Sequence, residues 1–175
     1  MLGPAPVARP SFAATVRRVR PADAAALFGF YEALSPDSRY ARFLSFGRIA
    51  LDQAERMAAA DGIARCGLVI DVPATGEIVG HLCLEPTERA GLEIGIAVGD
   101  AWQGHGVGRA LLAAGLAWAR RQGVPELYGV ALADNARILR LLSSLGVPCA
   151  FRPLGDGLVL AKISVASADA HRQRR

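Results

Sequence analysis

Three segments with the composition of β-strands follow one another closely in the middle of the chain, at residues 65–72, 78–85 and 91–98. Short segments rich in proline and glycine join them, at residues 73–76 and 86–91. A parallel return between two strands requires a dozen or more residues, so strands joined this tightly must be antiparallel. The sequence therefore predicts an antiparallel meander, and the rest of the fold has to be built around it.

Helical and strand-like segments surround this meander. Before it, the pattern predicts a short strand at 15–19 and helices at 24–34, 39–43 and 52–60; after it, a helix at 107–122, a strand at 127–132, a helix at 135–145 and a strand at 157–163. This order predicts an α/β fold built of α+β layers. Its central sheet is mixed and mostly antiparallel, has six to seven strands and is flanked by helices.

Both ends of the chain differ in composition from its middle. The 175 residues, 52% of them hydrophobic, are typical of one globular domain. The first residues include Pro4, Pro6 and Pro10, whereas the chain ends in the basic run His-Arg-Gln-Arg-Arg. We therefore expect a disordered tail at residues 1–12, a single domain at 13–165 and a basic tail at 166–175.

Composition argues against several classes of protein. The longest helical apolar run, residues 110–119, is too short to span a bilayer, and no apolar stretch of the secretory type follows the N-terminus. The three cysteines form no C-x-x-C pair, which indicates reduced thiols in a cytoplasmic protein. The histidines lack metal-ligand spacing, so no metal is expected. A net charge of +4 with a short basic tail argues against nucleic-acid binding.

The most informative segment is a glycine-rich loop that joins a strand to an amphipathic helix. It reads Gln103-Gly104-His105-Gly106-Val107-Gly108-Arg109. Glycines allow positive φ and a close approach of the backbone to a ligand. The first N–H groups of a helix have no partner within it and favour an anion such as phosphate. The loop lacks the Gly-Lys-Ser/Thr of a Walker loop, and Arg109 stands where a dinucleotide fingerprint needs glycine. The remaining alternative is a turn without a ligand.

This loop resembles the Q/R-x-x-G-x-G/A motif of the GNAT superfamily of acyl-CoA-dependent N-acyltransferases. Leu92-Glu93-Ile94 before it and Asp134-Asn135-Ala136 after it are similar to two further landmarks of that family. The resemblance implies acetyl-CoA as co-substrate, with its pyrophosphate on the loop amides. It also implies that the pantetheine arm lies between strands that splay near Val98 and Leu132. The implied binding residues are Ile96, Ala97, Val98, Gln103, Gly104, His105, Gly106, Val107, Gly108, Arg109 and Asn135.

The N-terminal half narrows the resemblance. The segments Arg20-Pro21-Ala22-Asp23 and Leu34-Ser35-Pro36-Asp37-Ser38-Arg39-Tyr40-Ala41-Arg42-Phe43 are similar to the opening of bacterial Pat-type protein-lysine acetyltransferases, as is Asp100-Ala101-Trp102-Gln103-Gly104. This similarity implies a protein lysine as the favoured acceptor. Arg39, Tyr40 and Arg42 are candidates to face that acceptor, with ordinary surface arginines as the alternative.

Glu93 is the candidate general base. An acceptor lysine with a pKa near 10.4 must lose its proton at pH 7, which costs roughly 4.6 kcal/mol. A positioned base contributes about 10²–10⁴-fold, which is of matching size. By the two-residue period of a strand, Glu93 shares a face with the small residues Gly95 and Ala97, which predicts room for a substrate there. Burial on that face is expected to raise the pKa of Glu93. The alternative is a solvated glutamate on an open sheet.

Two further roles follow from the resemblance. A backbone N–H near Val98 is expected to stabilise the oxyanion. Family members often carry a tyrosine seven residues after the asparagine, as acid for the departing thiolate, but here that position is Leu142. Pat-type enzymes also tend to lack it, and a thiol with a pKa of about 8.5 leaves with little help. Ser143 is expected to be an exposed helix residue.

The sequence leaves several alternatives open. The leading hypothesis is acetyl transfer to an amine by direct attack in a ternary complex. The acceptor is then a protein lysine or a small amine such as an amino acid, a polyamine or an antibiotic; a further alternative is a sensor that binds acyl-CoA without turnover. Asn135 either contacts the pantetheine or caps a helix. His81 and Tyr128 are expected to be structural, and the protein to be a monomer or a homodimer.

Overall fold

The computed structural model describes residues 15–88 and 91–165, and the two predicted tails, residues 1–12 and 166–175, lie outside these ranges. Seven strands form one sheet: β1 (Val16–Arg18), β2 (Cys66–Asp71), β3 (Ile78–Pro86), β4 (Leu92–Val98), β5 (Glu126–Leu132), β6 (Cys149–Gly155) and β7 (Leu158–Ser164). Five α-helices accompany them: α1 (Ala24–Ala33), α2 (Pro36–Phe43), α3 (Leu51–Ala58), α4 (Val107–Arg121) and α5 (Ala136–Ser143).

The strands are ordered β1-β2-β3-β4-β5-β7-β6, and among the strands of the described residues only the pair β4–β5 is parallel. The meander of β2, β3 and β4 is antiparallel, as the short connections required. The mixed, mostly antiparallel sheet flanked by helices is therefore confirmed. The parallel pair arises because α4 lies between β4 and β5 in the chain and carries it back across the sheet.

Helices pack against both faces of the sheet. On one face α4 buries Leu111, Leu112 and Leu116 against strand residues such as Leu82 and Leu84. α4 lies close to the sheet because Gly80 has no side chain: a Cβ there would come within 2.7 Å of Val107. On the other face α1 and α3 form a second core around Leu27, Phe30 and Tyr31.

Strand β6 is absent from the sequence prediction. Most of its residues are exposed, among them Phe151 and Leu154, so the strand has no buried face to produce an alternating pattern. Pro153 within it also reads as a strand breaker, although proline is tolerated on an edge strand. β6 is the edge strand beside β7, where one side of its backbone needs no partner strand.

Candidate functional site

The glycine-rich loop turns twice through left-handed backbone before α4 begins. Gly104 and Gly106 have φ of +80° and +86°, values that residues with a side chain rarely adopt. The first backbone hydrogen bond of α4 runs from the Ala110 N–H to the Gly106 carbonyl, at 3.0 Å. The N–H groups of Val107, Gly108 and Arg109 therefore lie ahead of the helix's own bonding, where they can donate to an anion.

Gly108 is required for a different reason. A Cβ on this residue would lie 3.0 Å from Leu141 Cδ2 of α5 and 3.7 Å from Val98 Cγ2 at the end of β4. The lack of a side chain thus lets the first turn of α4 pack closely against α5 and β4. The loop is held where the two neighbouring elements end.

β4 and β5 pair over two positions and then separate. The register joins Leu92 to Leu127 and Glu93 to Tyr128, after which β4 stays paired with β3 and β5 with β7. From Ile94 to Val98, the edge of β4 that faces β5 therefore borders a gap. Backbone groups along that gap are available to an extended ligand.

A cavity of about 840 Å³ fills this gap and extends from α2 to the glycine-rich loop. It brings together most of the residues singled out by the sequence. Those that line it are Arg42, Glu93, Ile96, Ala97, Val98, Gln103, Gly104, Gly106, Gly108, Arg109 and Asn135. Leu142 also lines it, so an apolar side chain stands at the position where related proteins carry a tyrosine.

Four predicted site residues lie outside the lining of this cavity. Val107 is buried in the core, although its N–H begins α4. His105 is exposed, and its Nδ1 hydrogen-bonds to the Gln103 carbonyl at 3.0 Å. Arg39 donates to the carbonyls of Glu32 and Leu34 and so fastens α2 to the end of α1. Tyr40 stacks on Phe46, with ring centroids 4.5 Å apart.

The expected burial of Glu93 is wrong. Glu93 is exposed at the mouth of the cavity, because α2 packs over β4 two residues further on, at Gly95. The space that Gly95 was expected to leave for a substrate holds the guanidinium of Arg42: a Cβ on Gly95 would lie 2.2 Å from Arg42 Nη2. The predicted face is correct, since Glu93, Gly95 and Ala97 pair with Glu85, Cys83 and His81 on the side away from α4.

Asp100 is a site residue that the sequence analysis missed. Its carboxylate accepts hydrogen bonds from the Ser35 N–H at 2.8 Å, from Ser35 Oγ at 2.9 Å and from Ser38 Oγ at 2.6 Å. Burial by itself would raise the pKa of Asp100, but these hydrogen bonds outweigh it and hold the pKa below its usual range. Asp100 thereby ties the start of α2 to the segment that enters the loop.

The side chain of Gln103 extends this connection. Its amide nitrogen donates to Ser38 Oγ at 3.0 Å and to the Val98 carbonyl at 3.2 Å, and its Oε1 accepts from Arg137 of α5. Arg109 is fastened to α5 as well, through the carbonyl and hydroxyl of Ser144. Apart from the Gln103–Val98 contact, these contacts join residues about 35 or 65 positions apart, so sequence spacing carried no signal for them.

Asn135, in the landmark that follows the loop, caps a helix. Asn135 Oδ1 accepts a hydrogen bond from the Ile138 N–H at 3.2 Å at the start of α5. Helix capping was one of the two roles expected for Asn135. Ser143 is exposed, and its hydroxyl donates to the Leu139 carbonyl at 2.9 Å.

The described residues contain neither a metal-binding cluster nor a membrane-spanning helix. Within residues 15–88 and 91–165, no group of three or more His, Cys, Asp or Glu side chains is arranged to hold a metal ion. Over the same ranges, no helix combines the length and the apolar character needed to cross a membrane.

The chain is similar to known proteins over most of its length. The sequence profile of the acetyltransferase (GNAT) domain matches residues 14–147, which is most of the chain. The chain belongs to the GNAT acetyltransferase family. Its members use acetyl-CoA to acetylate amines, and at that level this GNAT protein is an N-acetyltransferase with acetyl-CoA as its acetyl donor.

Individual relatives differ in what they are named for. This GNAT protein is 36% identical over 124 residues to an aminoglycoside N(6')-acetyltransferase type 1 of Stenotrophomonas maltophilia, covering 66% of this chain and 73% of the relative. Its structure is similar to the GNAT domain of S. lividans PAT, with a TM-score of 0.76, 28% identity and coverage of 86% of this chain and 90% of the other.

A third relative shares the fold. It is a putative acetyltransferase from Salmonella typhimurium solved with acetyl-CoA, with a TM-score of 0.69, 23% identity and coverage of 89% of this chain and 96% of the other. The similarity to the Pat-type proteins that the sequence indicated is thus confirmed by the S. lividans domain.

Proposed function

We propose that this GNAT protein acetylates a primary amine by direct attack on acetyl-CoA in a ternary complex, with Glu93 as general base. The observation that carries the proposal is the separation of β4 from β5 immediately after the Glu93–Tyr128 pair. It opens one continuous cavity from Glu93 to the left-handed glycines of the loop. A carboxylate and an anion-binding helix start are therefore the two ends of a single site.

The residues present fit acetyl-CoA. The N–H groups of Val107, Gly108 and Arg109 would hold the pyrophosphate, and the free edge of β4 from Ile94 to Val98 would hold the pantetheine. When bound, acetyl-CoA supplies a thioester with a thiol leaving group. The exposed position of Glu93 allows it to take the amine proton directly or through a water molecule.

The side chain of Leu142 has no proton to donate, so we propose that this position of α5 does not assist the departing thiolate. Leu142 is buried in the core and also lines the cavity. A thiol with an ordinary pKa near 8.5 leaves as thiolate without a strong acid. An N–H on the free edge of β4 near Val98 would stabilise the oxyanion, since this edge borders the gap.

The test of the base is the variant Glu93→Gln. We expect its kcat/KM for acetyl transfer at pH 7 to fall by about 10²–10⁴-fold, while acetyl-CoA binding stays unchanged. Release of CoA thiol measures the first quantity and calorimetry the second. Glu77→Gln, at an exposed glutamate in the turn before β3, is the matched control. Full activity of Glu93→Gln would rule out Glu93 as the base.

The favoured acceptor is a protein lysine. The similarity to the GNAT domain of S. lividans PAT over 86% of this chain supports it. A small-molecule amine is the second candidate, supported by the 36% identity to an aminoglycoside acetyltransferase. Mass spectrometry after incubation with acetyl-CoA and a panel of a lysine peptide, free amino acids, a polyamine and an aminoglycoside decides between them. Acetylation of free amines alone would remove the protein-lysine acceptor.

A further inference from the structure

Arg42 is held against the floor of the cavity at the end of α2. Its guanidinium lies 4.9 Å from the centre of the Phe43 ring on one side and packs on the backbone of Gly95 on the other. Gly95 and Glu93 are two residues apart on the same face of β4, so the guanidinium and the proposed base are neighbours along the strand.

The contacts of Arg42 are to neutral groups. Nη2 donates to Cys83 Sγ at 3.1 Å, and Tyr31 lies beside the guanidinium. Burial raises the pKa of Tyr31 to about 12 and raises the pKa of the Cys83 thiol, so neither group is anionic at pH 7. The neighbouring His81 is neutral as well, because burial lowers its pKa to about 3.

Arg42 also lacks a carboxylate partner among the described residues. None of the ion pairs found within residues 15–88 and 91–165 includes it. Its Nε is buried without a hydrogen-bond partner in that part of the chain. By contrast, Arg17 and Arg65, both partly buried, pair with carboxylates. A largely buried guanidinium without an anion is unfavourable, and the described residues supply no anion to Arg42. Its position at a cavity wall therefore favours an anion carried by a molecule bound in the cavity.

We propose that Arg42 binds a carboxylate of the acceptor, placed a few bonds from the amine that is acetylated. This inference rests on the proposed function and adds the class of acceptor to it. The amine faces Glu93 while the carboxylate pairs with the guanidinium, whose planar fork matches carboxylate oxygens. Asp37 and Glu93, the acidic residues in the same lining, repel that carboxylate and so favour the orientation with the amine towards Glu93.

The required carboxylate has two sources. One is the α-carboxylate of a free amino acid; the other is an acidic side chain beside the lysine of a protein. The remaining wall near Arg42 is formed by Ala41, Phe43 and Leu44, which suits an apolar remainder of the acceptor. Polyamines and aminoglycosides carry no carboxylate and are therefore expected to be poor acceptors.

Matched acceptor pairs test the proposal on the wild-type protein. One arm compares L-leucine with L-leucinamide, with kcat/KM expressed per unprotonated amine because the two α-amines differ in pKa. The other arm compares a peptide with aspartate beside its lysine with the same peptide carrying asparagine. We expect kcat/KM to be at least tenfold higher for the acid in one of the two arms, and the arm that responds identifies the source. Ratios at or below one in both arms would overturn the proposal.

The variant Arg42→Met locates the effect. In this variant the ratio of kcat/KM for the acid to kcat/KM for the amide is expected to be about one, and the KM for acetyl-CoA is expected to be unchanged. Arg56→Met, which removes an exposed arginine of α3, is expected to keep the wild-type ratio. A wild-type ratio in Arg42→Met would overturn the assignment to Arg42. If that variant does not fold, Arg42→Lys retains the charge but not the fork and is expected to lower the ratio.

A binding measurement separates this inference from the proposed function. Calorimetry of L-leucine and L-leucinamide, and of the two peptides, in the presence of CoA does not depend on turnover. Tighter binding of an acid without any acetyl transfer would support the role of Arg42 and count against catalysis. Acetyl transfer with equal binding of acid and amide in both arms would support catalysis and overturn the role of Arg42.

Discussion

At the scale of single residues, the glycines of the loop serve two separate purposes. Gly104 and Gly106 provide left-handed backbone in open surroundings, whereas Gly108 provides space for Leu141. A substitution at Gly106 therefore strains the backbone that aims the first N–H groups of α4. A side chain at Gly108 instead crowds Leu141, whose Cδ2 would have to shift by a few tenths of an ångström.

Replacing Gly106 by alanine tests the first purpose. We expect the free energy of unfolding to fall by about 1–2 kcal/mol, because alanine disfavours this conformation, and the Kd for acetyl-CoA to rise. Gly29→Ala is the matched control: Gly29 lies within α1 with open space where a Cβ would be, so alanine should stabilise the protein by about 0.5–1 kcal/mol. Chemical denaturation and calorimetry measure both quantities. Unchanged acetyl-CoA binding in Gly106→Ala would contradict the role given to the loop.

At the scale of elements, the site depends on a connection between α2 and the loop. Asp100 accepts three hydrogen bonds from Ser35 and Ser38, and Gln103 reaches Ser38 and the end of β4. Hydrogen bonds thus connect the wall proposed to face the acceptor with the loop proposed to hold the pyrophosphate.

Asp100→Ala removes the centre of this connection. We expect a loss of about 1 kcal/mol in the free energy of unfolding, modest because the carboxylate is partly solvated, and a several-fold higher KM for both substrates. Asp52→Ala is the control, since Asp52 is exposed and pairs with Arg56 on the surface of α3, so its loss should cost no more than about 0.5 kcal/mol. Thermal unfolding and steady-state kinetics provide the comparison. Wild-type KM values in Asp100→Ala would show that the connection does not hold the site.

At the scale of the whole molecule, one buried polar pair links the sheet to its second core. His81 of β3 is fully buried, and its Nδ1 lies 2.7 Å from the Tyr31 hydroxyl of α1. Burial lowers the pKa of His81 from 6.5 to about 3, so the native state keeps the imidazole neutral. Unfolding exposes it to water, where it takes up a proton at a higher pH.

This difference predicts a stability that falls in acid. Below pH 6.5, His81 binds a proton in the unfolded state but stays neutral in the folded state. The free energy of unfolding therefore decreases progressively as the pH falls from about 6.5 towards about 3. Between pH 7 and pH 5.5 we expect His81 to account for a loss of about 1 kcal/mol. Urea denaturation at both pH values measures it. His81→Gln should reduce this dependence and His105→Gln, at an exposed histidine, should not.

Local patterns were enough to predict the meander, α4 and the face of β4 that carries Glu93. Each of these follows from neighbours in the chain: short turns force antiparallel pairing, and a period of two or of 3.6 selects a buried face. β6 was not predicted, because most of its residues are exposed and the strand therefore has no periodic apolar side. The glycine-rich loop was recognisable because a strand, three glycines and a helix are contiguous in sequence.

Other properties of the site depend on elements far apart in the chain. Whether Glu93 is buried depends on where α2 packs on β4, some 50 residues away, and the prediction was wrong for that reason. The partners of Asp100 and the neutral surroundings of Arg42 likewise come from separate helices and strands. Periodicity assigns a side chain to a face of its own strand, but burial, charge pairing and cavity shape are properties of surfaces that meet only after the chain has folded.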